Sequence, residues 1–356
     1  MTIAEVRTQR ITAPLHSPFR TALRETRAVE TLVVEVRDDS GGHGLGEAPQ
    51  VWRVTGESLA SAEAAISEVL APGLIGRDPD DLTALLRRVS DIVPGNHGAK
   101  AAIDVALHDL AARRLGVPLA RLLGSGTLRV PTDVTLSAGT VQEVVTAAKA
   151  RAAEGFTVLK LKVGADPDND LARVRAARDA VGTGPKIRLD ANQGWSPRAA
   201  VRLITAMEDA GLDIELVEQP VPAADIAGLG WVTDRVDTPI LADESVFGVP
   251  DLLAVIQRRA ADMINVKLAK CGGLHTARTL LELARAAQLG AIVGSMMEGP
   301  VGVAAAASLV AAYGATTVSD LDAAWWLESS PLRGDVRYQD GHLILPDAPG
   351  LGLELP

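Results

Sequence analysis

Cysteine is nearly absent from this 356-residue chain, which carries one, Cys271. A single thiol excludes an internal disulfide, and with no charged-then-apolar leader at the start a reducing cytoplasm is the expected compartment. Aromatic residues make up only 3% of the chain and the net charge is −10. With neither a basic patch nor an aromatic stacking platform in view, no nucleic acid is expected as a partner. No membrane is expected either, because the most apolar stretch, GPVGVAAAASLVAAYGA, is short and alanine-rich and reads as a buried helix. A homo-oligomer stays open on sequence grounds.

Lysine is also scarce. Seven of the 35 basic residues are lysine, and the other 28 are arginine. An amine can lose its proton when its surroundings depress its pKa, whereas a guanidinium effectively cannot, so a lysine in such a chain is read for its chemistry. Three of the seven, Lys160, Lys162 and Lys267, lie at the ends of two apolar, strand-like runs.

Between those runs the sequence reads LKLKVG, IRLDANQGW, IELVEQP, PILADES and MINVKLAKCGG. Each run closes on a charged residue: Lys162, Asp190, Glu218, Asp243 and Lys267. The steps between them are 28, 28, 25 and 24 residues, about one strand, one loop and one amphipathic helix. Extending the period backward reaches Thr135 in VPTDVTLSAG; extending it forward reaches Ser295 in AIVGSMMEG and Asp320 in TTVSDLD. The segments between, LARVRAARDAVG, RAAVRLITAMEDAG and ARTLLELARAAQLG, have helical spacing and finish on glycine. The expected fold is α/β, with eight parallel strands closing into a barrel whose strand ends converge on one mouth.

A plain barrel needs roughly 250 residues, so part of the chain must do something else. The start alternates apolar and polar residues as an antiparallel hairpin would, with SGGHG at the turn, and helical segments follow. The expected division is an α+β capping domain over residues 1–125, the barrel over 126–325, and a return of the chain to the capping domain over 326–356.

Asp190, Glu218 and Asp243 at successive strand ends form an all-oxygen cluster that would repel itself unless a cation sat among them. Hard oxygen donors without cysteine or histidine point to Mg²⁺ rather than zinc. A substrate carboxylate on such a cation would acidify the neighbouring C–H, because the enolate formed places its charge on oxygens. Lys162 and Lys267 would then be the bases, one on each face of the planar enolate. Lys160, on the same side of its strand, is expected to depress the pKa of Lys162 and to approach the substrate carboxylate.

The KxK of LKLKVG, the acids of LDANQGW, VEQP and ADES, and the lysine of NVKLAKCGG together resemble the muconate-lactonizing subgroup of the enolase superfamily. AAIDVALHDLAARRLGVPL resembles the helical signature that precedes the barrel there. The resemblance spans essentially the whole chain and implies a (β/α)7β barrel with an α+β capping domain, Mg²⁺, and abstraction of a proton alpha to a carboxylate. The DLD of Asp320 and Asp322 resembles the pair that binds the α-ammonium in dipeptide epimerases. It would repel the dianionic substrates of muconate cycloisomerases and o-succinylbenzoate synthases. A dipeptide is therefore the expected small-molecule substrate, with N-acylamino acid racemisation among the alternatives. Arg24 resembles an arginine that meets the glutamate side chain in Ala-Glu epimerases, which favours L-Ala-D/L-Glu; Trp52 and Arg53, in the second capping loop, are bulkier and more basic than that assignment leads one to expect, and would either reshape the pocket or add another anion contact.

Thr135 and Ser295 end strands with hydroxyls able to orient a carboxylate or peptide oxygen. Asn192 and Glu244, which follow expected metal ligands, are read as their orienting partners. Lys270 is expected to begin a loop or helix and to lie in solvent. Glu298 is expected either to approach Lys267 or to face water. None of the six histidines closes a barrel strand, so a lysine/histidine base pair is not expected.

Overall fold

The computed structural model describes residues 1–21, 25–334 and 336–356, so Arg24 lies outside the described residues. Three antiparallel strands open the chain: β1 (Ile3–Arg20), β2 (Glu25–Asp38) and β3 (His43–Pro49). The expected turn forms between β2 and β3. There the Asp38 carboxylate accepts from the backbone N–H groups of Ser40 and Gly42 at 2.9 and 2.8 Å, an Asx-type closure that leaves Gly41 at φ 89°.

Helices α1 (Leu59–Ala65), α2 (Ala71–Leu74), α3 (Leu82–Asp91), α4 (His97–Arg114) and α5 (Leu119–Leu122) follow. Alternation puts Leu32, Val34 and Val36 of β2 on one face, where they pack with Ala99, Ala102, Ile103 and Ala106 of α4. The helix lies so close to β3 that a Cβ built on Gly46 would sit 1.7 Å from the Ala102 carbonyl oxygen.

A short strand β4 (Arg129–Pro131) leads into the barrel. Its strands and helices are β5 (Val134–Leu136), α6 (Val141–Ala153), β6 (Val158–Lys162), α7 (Pro167–Val181), β7 (Lys186–Asp190), α8 (Pro197–Asp209), β8 (Ile214–Glu218), α9 (Ile226–Thr233), β9 (Ile240–Ala242), α10 (Val249–Arg258), β10 (Met263–Lys267), α11 (Leu268–Cys271), α12 (Leu274–Ala286), β11 (Gly290–Gly294) and α13 (Pro300–Tyr313). Seven parallel strands run in the order β5 to β11. The eighth run contributes two residues: Ser319 bridges Thr132 beside β5, and Asp320 bridges Gly294 of β11, so the ring meets itself there. Helix starts follow local chemistry, as in α6, where Thr140 and Glu143 make reciprocal caps. Glycine ends α7 at Gly182, but α12 turns at Gln288 (φ 59°) before its expected glycine.

The apolar stretch noted in the sequence is α13, buried along most of its length, and no helix among the described residues is long and apolar enough to cross a membrane. After a 3-10 turn at Ala323–Trp326, the chain forms β12 (Arg333–Gly334), β13 (Arg337–Gln339), β14 (His342–Ile344) and β15 (Leu353–Glu354). Strand β14 pairs with β13 and β4, and β12 with β15.

Buried acids tie these layers together. Asp104 of α4 accepts the backbone N–H of Leu274 at 2.7 Å at the start of α12, where a carboxylate is favoured. Asp109 accepts from Leu45 of β3 at 2.7 Å and from Leu351 near the C-terminus at 2.6 Å. Glu47 of β3 accepts from Gly299 and Gly302 at the start of α13. Because the atom facing Gly46 is helix backbone, Gly46→Ala should lower stability by about 1–3 kcal/mol. Gly126→Ala, with open space around it, should be near neutral; urea unfolding midpoints of the two variants check the contrast.

Candidate active site

The five residues that close the apolar runs come together because each closes a parallel strand at the same mouth. Lys162 ends β6, Asp190 ends β7, Glu218 ends β8, Asp243 follows β9 and Lys267 ends β10. Registry aligns them, with Lys162 opposite Asp190 and Asp190 opposite Glu218. The three strands separating the two lysine strands therefore all end in carboxylates. Gly294 of neighbouring β11 leaves room for the second lysine, since a Cβ there would lie 2.9 Å from Lys267 Cε.

All five are buried, and the charges pair closely. Lys162 donates to Asp190 at 2.5 Å and Lys267 to Asp243 at 2.7 Å. The amine of Lys160 reaches Asp190, Glu218 and Asp320 at 3.0, 2.6 and 2.7 Å. Burial acts against its charge, but Asp190, Asp320 and Glu218 hold its pKa well above the ordinary amine value. Lys160 is thus a fixed counter-ion at the centre of the mouth, directed at carboxylates rather than at Lys162.

Burial likewise pushes Asp190 and Asp243 up, yet the adjacent lysines outweigh it and both end below the usual carboxylate range. Lys267 ends above its ordinary value, because Asp243 and Glu218 overcome the burial penalty. Glu218 goes the other way, to about 7, through burial and then the charge of Asp190.

Lys270 departs from expectation. It is wholly buried and donates to Asp243 Oδ1 at 2.5 Å, to the Asp243 carbonyl and to the Asn265 carbonyl. The short helix α11 turns this lysine inward, where it holds Asp243. Asn265 is a second residue the sequence reading missed; its Nδ2 donates to Glu218 Oε1 at 2.9 Å. It lies two positions before Lys267 on the same face of β10, so strand alternation was the available signal.

Asn192 and Glu244 adjoin the strand-end acids. The Asn192 backbone donates to Asp190 Oδ1 at 2.9 Å, and its side chain faces Glu244 at 3.4 Å. Glu244 is raised to about 8 by burial and then by Asp243 and Asp190. Glu298 turns away from water and accepts the Met296 N–H at 2.9 Å. A cleft open to solvent is lined among others by Phe19, Arg53, Lys162, Lys267, Asp320 and Asp322. Thr135 and Ser295 also line it. The Thr135 backbone N–H donates to Asp322 at 2.6 Å, and the Ser295 hydroxyl donates to the Asp320 carbonyl at 3.3 Å.

Two acidic groups bear on metal binding. Asp133, Asp320 and Asp322 bring oxygens within 4.8 Å of one another. However, Asp133 is locked to Arg188 at 3.0 Å, and that guanidinium is itself held by Glu215 at 2.7 Å and by the Val318 carbonyl at 2.8 Å. Among the described residues Asp133 Oδ1, Asn192 Oδ1 and Glu244 Oε2 are all buried acceptors with no hydrogen-bond partner, but Asn192 and Glu244, unlike Asp133, line the cleft with Asp243, and Glu218 is destabilised as an anion. Unsatisfied hard acceptors beside crowded carboxylates fit a small divalent cation.

Comparison with known proteins agrees with this geometry. Residues 3–124 match the model of the mandelate racemase / muconate lactonizing enzyme N-terminal domain, and residues 143–356 match that of the enolase C-terminal domain-like family. The chain is similar to the substrate-liganded L-Ala-D/L-Glu epimerase of Bacillus subtilis, with 43% identity, 99% of each chain covered and a TM-score of 0.96. It is 40% identical to an L-Ala-D/L-Glu epimerase of Clostridium acetobutylicum, over 99% of both chains. It is also similar to the dipeptide epimerase of Enterococcus faecalis complexed with Mg and L-Leu-L-Tyr: 38% identity, TM-score 0.94, with 99% of this chain and 100% of that one covered.

Glu298 gives the site a pH signature away from the strand-end acids. It is pushed up to about 8, by burial first and then by Glu47. A carboxyl whose folded value exceeds its unfolded value near 4.5 contributes stability that is full below the unfolded value and lost as pH rises through the folded one. Glu298→Gln should therefore flatten the decline in urea midpoint between about pH 4.5 and 8. Superimposable midpoint–pH curves for the two proteins would contradict this.

Proposed function

This chain belongs to the mandelate racemase / muconate lactonizing enzyme family of the enolase superfamily, and from that membership we propose that it is a Mg²⁺-dependent dipeptide epimerase. It inverts the α-carbon of the C-terminal residue by 1,1-proton transfer through an enolate, with L-Ala-D/L-Glu as lead substrate. The observation that carries this reading is the placement of two amines, Lys162 and Lys267, on one cleft, with three carboxylate-ended strands between their own.

In this reading Asp190, Glu218 and Asp243 hold the metal. A Mg²⁺ ion held there would supply positive charge at the terminal carboxylate of the substrate, which would make the adjacent C–H more acidic. One lysine, as the free amine, takes the α-proton, and the other, as the ammonium, returns a proton to the opposite face of the planar carbon. The two exchange protonation states in each turnover, so the reverse reaction runs through the same pair. Lys160 stays charged, and Lys270 and Asn265 keep Asp243 and Glu218 aimed.

Asp320 and Asp322 bind the substrate ammonium. Support comes from their place on the cleft wall and from their charge: Lys160 and Lys267 overcome burial to keep Asp320 below its usual range. A pair of carboxylates there disfavours the dianions of muconate cycloisomerase or o-succinylbenzoate synthase chemistry and the uncharged acyl end of an N-acylamino acid. Thr135 and Ser295 orient peptide or carboxylate oxygens. Arg53 lines the same cleft, and a guanidinium there supports an acidic side chain on the epimerised residue.

Incubation with L-Ala-L-Glu and Mg²⁺ in D₂O should place deuterium on the glutamate α-carbon, read by proton NMR, and chelation of the metal should stop it. Lys162→Ala and Lys267→Ala should each lower inversion by about 10²–10⁴-fold; undiminished inversion in either variant would remove the two-base reading. Arg53→Ala should raise KM for L-Ala-L-Glu about tenfold, the range of one charged hydrogen bond, while leaving KM for L-Ala-L-Leu unchanged. Equal effects on both peptides would remove Arg53 from side-chain recognition.

A further inference from the structure

Asp322 is held by a residue outside the strand-end pattern. Its Oδ2 accepts the Trp326 Nε1–H at 3.1 Å as well as the Thr135 backbone N–H at 2.6 Å. Both Asp322 and Trp326 are nearly inaccessible, at 4% and 5% exposure, so these bonds are not exchanged with water. Two donors on one oxygen fix the plane of the carboxylate. They also favour its anion, against burial and then Asp320, which raise the group to about 6. Asp133 and Asp320 crowd Asp322, so without such donors an anion at this position would be costly.

The indole is itself fixed by residues of the capping strand β1. Phe19, near the end of β1, meets Trp326 edge-on at 5.0 Å between ring centroids, and His16 stacks on it at 5.3 Å. Phe19 lines the cleft and lies 5.8 Å from the Lys162 amine. Backbone contacts lock the 3-10 turn to the same strand: Leu327 bridges Leu15, and Glu328 donates to the Pro14 carbonyl at 2.9 Å. The capping strand that walls Lys162 is thus coupled through one ring to the Asp322 carboxylate.

We propose that Trp326 is a positioning residue for substrate recognition: by orienting Asp322, it sets the selectivity of the cleft for peptides with a free amino terminus over N-acylated ones. This rests on the reading of Asp322 as an ammonium ligand. An acylated nitrogen carries no charge and gains little from a fixed anion, so loss of the Trp326 bond weakens binding of the free amine selectively.

The test is Trp326→Phe, which keeps an aromatic ring against Phe19 and His16 and removes only the N–H donor. KM for L-Ala-L-Glu should rise about tenfold with kcat within about twofold, the size of one hydrogen bond to a charged group. The inhibition constant of N-acetyl-L-Ala-L-Glu should not change. In an Asp322→Asn background, Trp326→Phe should have no further effect on KM, because the anion that the indole orients toward the substrate ammonium is gone. Equal weakening of both peptides, an unchanged KM, or additive effects in the double variant would each overturn the proposal. Native enzyme that exchanges no dipeptide α-proton would instead remove the epimerase reading, and this inference with it.

Discussion

Everything at the barrel mouth depends on burying carboxylates on three adjacent strand ends. Asp190, Glu218 and Asp243 are nearly inaccessible to water, and an isolated ion in that position costs several kcal/mol. The chain meets this with amines. Lys160 bridges Asp190, Glu218 and Asp320, and Lys270 seals Asp243. These two are buried counter-charges that are not among the residues lining the cleft. Lys162 and Lys267 also pair with the cluster, but both open onto the cleft. The four lysines therefore divide by exposure to the cleft rather than by sequence context.

This division links stability to function. In the proposed mechanism a cation held by the three acids would take over the counter-charge that Lys162 and Lys267 otherwise supply, leaving the amines free to change protonation state, as a base must. Glu218 and Glu244, raised to about 7 and 8 by burial and neighbouring anions, register the same deficit of positive charge. The buried acids Asp104, Asp109 and Glu47 solve a related problem without a metal. Each is satisfied by backbone N–H groups of a neighbouring layer, which joins the capping sheet, the barrel helices and the C-terminal strands around one mouth.

Much of this was legible in the sequence because strand ends in a parallel barrel repeat at the length of one βα unit, and chemistry gathers there. The steps linking Lys162 to Lys267 located the mouth, and the scarcity of lysine drew notice to the two amines that line the cleft. The same scarcity applied to Lys270, yet its place after the strand suggested solvent; only the turn of α11 brings it inward. Asn265 was visible through alternation but carries no charge to draw notice. The eighth strand proved to be two bridging residues, since side chains such as Thr132, whose hydroxyl accepts the Leu321 N–H at 3.0 Å, replace a longer ladder. The Trp326 bond to Asp322 depends on the capping strand pressing against a turn some 300 residues away, and no local pattern encodes such a contact.

The central claim is that a divalent cation and the cleft lysines share one set of carboxylates. Nitrogen-15 NMR titration of the Lys267 amine, assigned with Lys267→Arg and followed with and without saturating Mg²⁺, tests it most directly. Without the cation the amine should titrate above the ordinary value of 10.5, as Asp243 and Glu218 dictate. With it, the midpoint should fall below that value. A midpoint unmoved by Mg²⁺ would contradict the account.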